Sequence, residues 1–116
     1  MAVKLNRSAY EQAQQLIKAG HGVLDDRGDW SEHQSSAAAE NEFIREHGFS
    51  DYARWHLGVN DEKHEDTKER YEFPYGDFTD VRRSGVLAAE SRAGQYGHRD
   101  IELAAAHLLG MLEETT

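Results

Sequence analysis

The stretch YEFPYGDFTDVRRSGVLAAESRAGQYG, from Tyr71 to Gly97, decides the predicted fold. It contains the only proline of the chain, Pro74, which fixes its own backbone and pushes Phe73 towards an extended shape. Gly76 permits a reversal of the chain. The segment FPYGDF is therefore predicted to be an aromatic turn.

The turn leads into two predicted helices. The first runs from Thr79 to Gln95 and consists largely of small residues. Gly85 lies in its interior, where glycine costs about 1 kcal/mol relative to alanine, so we expect close approach of another backbone there. The second helix, from Asp100 to Leu112, is apolar nearly all round, which is typical of a helix central to a fold or buried in an oligomer. The candidate interface residues are Ile101, Ala105, Leu108, Leu112 and Gly85.

Three further helices are predicted in the first half of the chain. They span Ser8 to Ala19, Ser36 to His47, and a short stretch from Ser50 that ends near Gly58. The chain is thus expected to be all-α, a single domain over residues 1–116 with four to five helices. The last two helices would form the hub, with the aromatic turn, Trp30 and Trp55 packed around it.

Two segments are expected to lie outside this packed core. Residues 60–72 (NDEKHEDTKERYE) carry six acids and three bases, which indicates either a solvated helix or a mobile loop. Residues 113–116 (EETT) are expected to be a frayed tail.

The composition narrows the classes of function. With 22 acidic and 13 basic residues, the net charge of −9 opposes binding to nucleic acid or to anionic lipid. The absence of cysteine excludes disulfides and thiolate chemistry and suits a reducing compartment. No segment has signal-peptide or membrane-spanning character, so a cytoplasmic location is expected.

The chain has seven histidines, which raises the question of a metal site. Imidazole and carboxylate groups suit zinc or another divalent ion, and the candidate ligands are His33, His56, His64, Asp61 and Asp66. None of these residues has a spacing typical of a metal motif, and surface histidines in an acidic region explain the pattern equally well. No cofactor is therefore predicted, and a metal stays an alternative.

An acid/base site is a related alternative. Such a site could form around Trp30 from Asp25, Asp26, Asp29, Glu32 and His33. Turn formation and helix capping explain the same acids.

A pair of arginines stands out in this acidic chain. Arg82 and Arg83 could together hold one anion, because guanidinium groups suit phosphate or carboxylate. Internal salt bridges are the alternative explanation.

The chain also resembles known proteins. The stretch from Asp25 to His33, the aromatic turn and the helix around Ala88 to Ala93 look like those of small uncharacterised bacterial proteins. The last third resembles a short helical module of phage and prophage structural proteins. The matching residues are Phe73, Pro74, Asp77, Ala88, Ala89 and Arg92. This resemblance implies a bacterial or phage origin and no known activity.

These features favour a small non-enzymatic protein that acts through association, with itself or with a protein partner. The first alternative is a small metal-dependent or acid/base enzyme that uses the histidines and aspartates named above. The second is an acidic mimic of nucleic acid, which the negative charge suggests.

Overall fold

The computed structural model describes residues 3–114. In chain order the elements are β1 (Val3–Leu5), α1 (Arg7–Lys18), β2 (Gly22–Val23), a 3₁₀ turn (Arg27–Asp29), α2 (Trp30–His33), α3 (Ala37–Ala53), β3 (His56–Asn60), a second 3₁₀ turn (Lys68–Arg70), β4 (Tyr71–Pro74), β5 (Val81–Arg82), α4 (Arg83–Gln95) and α5 (Arg99–Glu114).

The all-α prediction is wrong, because the helices pack with two small sheets in an α+β fold. Strands β1, β3 and β4 form an antiparallel sheet with β3 in the centre. Gly58 of β3 is opposite Leu5 on one side and Glu72 on the other. Strands β2 and β5 form a parallel pair that joins distant parts of the chain.

Strand β3 occupies the stretch where the sequence predicted the end of a helix near Gly58. The ring of Phe73 crosses the sheet there, and a Cβ atom at position 58 would lie 2.6 Å from Phe73 Cδ2. The glycine therefore makes room for an aromatic ring and does not end a helix. Strands of two to five residues show too little alternation to be recognised, since pairing with other strands stabilises them.

Helices α4 and α5 share the most extensive contact between any two elements, as the sequence predicted. Helix α4 begins at Arg83 and not at Thr79, because Val81 and Arg82 pair with β2. The chain between the two helices turns at Gly97, which has a φ of +76°. The shared core contains Val86, Ala89 and Ala93 of α4 and Ile101, Ala105 and Leu108 of α5.

The predicted second and third helices form one element, α3, with a break at Gly48 (φ +84°, ψ 169°). Ser36 caps this helix, because its Oγ accepts a hydrogen bond from the Ala39 amide at 3.1 Å. The first helix is confirmed as α1. Its expected cap, Ser8, instead donates from Oγ to Asn6 Oδ1, and Asn6 holds the N-cap position.

Residues 60–72 comprise the last residue of β3, a turn, the second 3₁₀ turn and the first two residues of β4. Glu113 and Glu114 of the expected frayed tail belong to α5, and residues 115–116 lie outside the described part of the chain. Within residues 3–114, no helix combines the length and apolarity needed to cross a membrane.

Candidate functional site

A groove of about 540 Å³ lies between α2, β4 and α4. Its volume falls within the range of roughly 300–1,000 Å³ that is typical of ligand pockets. We call it the α4 groove, and it is lined by Trp30, Gln34, Glu72, Phe73, Pro74, Ala88, Ala89, Ser91, Arg92 and Gln95.

Helix α4 supplies one wall of the groove through positions that share a helical face. Ala88, Ser91, Arg92 and Gln95 are spaced by three, one and three residues, which places them side by side. Within residues 3–114, Arg92 has no carboxylate partner, and its guanidinium carbon lies 5.5 Å from the centre of the Tyr96 ring. The groove therefore offers an exposed cation that has no ion-pair partner among the described residues, and its lining also includes the Glu72 carboxylate.

Trp30 forms a second wall because α4 has a glycine opposite it. A Cβ atom at Gly85 would lie 2.7 Å from Trp30 Cζ3 and 2.7 Å from the Tyr75 carbonyl oxygen. This confirms the predicted close approach at Gly85. Arg27 fixes the same segment by donating to Ser91 Oγ at 3.0 Å.

The third wall ends at Phe73, where the sequence predicted extended backbone. Phe73 instead has a φ of +63°, which is strained for a residue with a side chain. Its ring is buried against Gly58, with the His98 ring edge-on at a centroid distance of 5.7 Å. Backbone strain is thus stored at the β4 end of the groove.

A buried cluster around Asp25 attaches the α2 segment to the start of α4. The Asp25 carboxylate accepts hydrogen bonds from the Ser84 amide and hydroxyl, both at 2.7 Å. Arg82 donates to Asp25 at 3.2 Å and to Asp77 at 2.7 Å. Burial raises the pKa of Asp25, but the hydrogen bonds from Ser84 and the Arg82 charge outweigh it and lower the pKa overall.

The proposed anion site at Arg82 and Arg83 is thus filled by carboxylates of the chain. Arg83 donates to the Asp25 carbonyl at 3.3 Å and lies 3.8 Å from the Glu113 carboxylate. The two guanidinium groups therefore form internal salt bridges, the alternative that the sequence left open.

The metal candidates are dispersed, and residues 3–114 contain no group of three or more His, Cys, Asp or Glu side chains that could hold a metal ion. His33 is exposed at the end of α2. The ring of His64 accepts a hydrogen bond from the Asp66 amide at 3.0 Å. Asp61 pairs with Lys4 at 3.3 Å.

His56 differs from the other candidates because it is buried. Its Nδ1 donates to the Tyr52 carbonyl at 2.8 Å. Burial lowers the pKa of His56 to about 4, against the opposing effects of that carbonyl and of Glu40. The ring is therefore neutral at physiological pH and packs within an aromatic cluster.

The acid/base candidates are also engaged in local structure. The Asp29 carboxylate accepts a hydrogen bond from the Asp26 amide at 2.9 Å, and Asp25 binds Ser84 and Arg82 as described above. No hydrogen bond or ion pair joins either aspartate to His33 among the described residues.

The candidate interface residues of α5 lie inside the chain. Ile101, Ala105, Leu108 and Leu112 have no exposed surface and pack in the core. In this single chain the apolar face of α5 is covered by α1, the sheet and α4.

Sequence reasoning missed most of the α4 groove. The polar face of α4 could have been found from the spacing of Ser91, Arg92 and Gln95. The opposite walls could not have been found in this way, because Gln34 and Glu72 are distant from α4 in the sequence and only the tertiary fold brings them beside it.

No match to this chain is found among protein-family models, curated protein sequences or solved structures. The geometry of the α4 groove is therefore the basis for assigning a function.

Proposed function

We propose that this protein acts by non-covalent association and binds an extended segment of a partner protein in the α4 groove. The observation that carries the proposal is the combination of an apolar floor, two amide side chains and the unneutralised Arg92 in one cavity. Such a combination of apolar surface with a few convergent polar groups is typical of binding sites.

Each part of the lining suits one part of a peptide. Pro74, Ala88 and Ala89 form apolar surface for a side chain. The amides of Gln34 and Gln95 both donate and accept hydrogen bonds, as a peptide backbone requires. Arg92 suits a carboxylate. We therefore infer a segment that carries an apolar side chain beside an acidic group.

The size of the groove supports a short extended segment. A volume of about 540 Å³ holds a few residues, whereas a helix is 10–12 Å across with its side chains. Of the six residues that carry the resemblance to phage structural proteins, five line the groove: Phe73, Pro74, Ala88, Ala89 and Arg92. A bacterial or phage origin and a cytoplasmic location form part of the proposal.

The test is selection of a displayed library of random peptides against the purified protein. We expect enriched peptides with an acidic residue next to an apolar one. The ¹⁵N-labelled protein is then titrated with a selected peptide. The chain has two tryptophans, so each indole N–H reports on its own surroundings. The signal of Trp30 should move, and that of Trp55 should not.

Two matched variants test the location. Ala88→Glu places bulk and negative charge in the groove and should abolish binding. Ala106→Glu changes an exposed residue of α5 and should leave binding intact. Failure to enrich any peptide, or equal binding by both variants, would refute the proposal. A dimer that Ala88→Glu abolishes would show that the occupant is a second copy of the chain and would overturn the choice of partner.

A further inference from the structure

A second cavity, of about 620 Å³, lies between α1, α3 and the aromatic turn. We call it the aromatic hollow. Its apolar lining includes Leu16, Phe43, Trp55 and Phe78, and its charged lining is Asp51 and Arg54.

The aromatic rings of the hollow are in contact with one another. Phe43 and Phe78 stack with centroids 4.3 Å apart and an angle of 11° between the planes. Trp55 meets Phe78 edge-on at 6.0 Å. The His47 ring lies tilted against Phe43, with the two ring centroids 4.5 Å apart. A surface of this kind favours a planar aromatic ligand, because offset-stacked and edge-on contacts add to the burial of apolar area.

The two charged groups lie three residues apart at the end of α3 and do not neutralise each other. Within residues 3–114, neither the Asp51 carboxylate nor the Arg54 guanidinium forms a hydrogen bond or ion pair. The backbone beneath them is fixed, since the Arg54 carbonyl accepts a hydrogen bond from Tyr75 Oη at 2.7 Å. The hollow thus presents one anion and one cation beside an aromatic surface.

Backbone strain is a further sign of function at the aromatic hollow. Phe78 has a φ of +70°, which is rare for a bulky residue and persists only when the surrounding structure enforces it. The enforcement comes from Asp77, whose Oδ1 accepts hydrogen bonds from the amides of Thr79 at 3.0 Å and Asp80 at 2.7 Å. In this conformation the Phe78 ring stacks on Phe43.

We propose that the aromatic hollow binds a free aromatic amino acid. The ligand's ring packs against the aromatic surface formed by Phe43, Phe78 and Trp55. The carboxylate of the ligand pairs with Arg54, and its ammonium group pairs with Asp51. A zwitterion with a planar side chain satisfies both charges and the aromatic surface at once.

The test uses three related probes and the ¹⁵N signals of the two indole groups. Unlabelled L-tryptophan should move the Trp55 signal and leave Trp30 unchanged. Tryptamine lacks the carboxylate and indole-3-propionate lacks the ammonium group. Each should bind about tenfold more weakly, because a hydrogen bond to a charged group is lost.

Variants of the two charged residues assign each contact. Arg54→Gln should weaken the binding of L-tryptophan about tenfold and leave the binding of tryptamine unchanged. Asp51→Asn should weaken the binding of L-tryptophan to the affinity that the unchanged protein has for indole-3-propionate. The exposed control changes Arg99→Gln and Asp66→Asn should have no effect. No movement of Trp55 at millimolar L-tryptophan, or equal binding of all three probes, would overturn the proposal.

Discussion

The Asp25 carboxylate caps helix α4 from 59 residues away in the sequence, through hydrogen bonds to the Ser84 amide and hydroxyl. Arg82, the residue at the N-cap position of α4, provides no side-chain cap. A free amide at the start of a helix needs an acceptor, and the negative charge also interacts favourably with the helix dipole. This single carboxylate therefore joins the segment before Trp30 to the helix that forms the α4 groove.

Replacing Asp25 should destabilise the protein strongly. Asp25→Ala leaves the Ser84 amide and hydroxyl without their acceptor and removes one of the two carboxylates that bind Arg82, and we expect a loss of about 2–3 kcal/mol in the free energy of unfolding. Urea denaturation measures this change. Asp66→Ala is the control, since Asp66 lies on the exposed segment after β3 and should change stability by less than about 0.5 kcal/mol. Equal stability of the two variants would show that the cap contributes nothing.

The buried His56 should make stability depend on pH. Its pKa is about 4 in the folded protein and 6.5 in a model peptide, so the unfolded chain binds a proton first as the pH falls. The stabilising contribution is complete above pH 6.5 and is lost towards pH 4. The full loss is on the order of 3 kcal/mol.

His56→Gln removes this titration and should flatten the pH dependence between pH 6.5 and 4, as measured by urea unfolding at several pH values. Asp25 and Asp77 begin to contribute only towards the acid end of this range, because their pKa values are lowered from 3.8. His33→Gln is the control, since His33 is exposed. An unchanged slope in His56→Gln would contradict the effect of burial.

Two glycines in helices should respond to alanine in opposite directions. Gly85→Ala places a Cβ atom 2.7 Å from both Trp30 and the Tyr75 carbonyl oxygen, so we expect a loss of about 1–2 kcal/mol despite better helix propensity. Gly110→Ala meets no atom within 4 Å and should stabilise the protein by about 0.5–1 kcal/mol. Thermal unfolding compares the two variants. Stabilisation by both would mean that Trp30 does not pack against α4.

Helices α1 and α5 were predictable because their apolar residues recur with a clear helical period, whereas the four-residue α2 was not predicted. Helix α1, for example, buries Ala9, Ala13 and Ile17 on one face. The strands were not predictable from the sequence. Strands β2 and β5 have two residues each, and they pair only because the fold brings them together, with the Val81 amide donating a hydrogen bond to the His21 carbonyl at 2.8 Å. Because such short strands leave no recognisable pattern in the sequence, the chain was wrongly predicted to be all-α.

The binding cavities were only partly predictable for the same physical reason. The polar face of α4 follows from residue spacing, but Trp30 and Trp55 were expected only as packing anchors and each also lines a cavity. Phe73 has a positive φ and packs against Gly58 of a strand distant in sequence, a contact that residue spacing does not reveal.

The alternative hypothesis from the sequence, that the protein is an acidic mimic of nucleic acid, stays a prediction.

The first part of α3, residues 37–47, should open more readily than α4 or α5. Tyr52, beyond the break at Gly48, is the one residue of α3 that is fully buried among those described. Residues 37–47 contact the body through the Phe43–Phe78 stack and through Lys68, which lies 2.9 Å from Glu40 and donates to Asn41 at 3.2 Å. Glu40 also interacts with the Tyr52 hydroxyl. Few buried contacts predict low protection of the backbone amides in hydrogen exchange.

Native-state hydrogen exchange measures this protection directly. Lys68→Ala should lower protection of residues 37–47 further, and Lys18→Ala, at the exposed end of α1, should not. Because Phe43 lines the aromatic hollow, saturating L-tryptophan should raise protection of the same amides, since a ligand that binds the closed form shifts the equilibrium towards it. Equal protection of α3 and α5 without ligand would contradict the expected local opening.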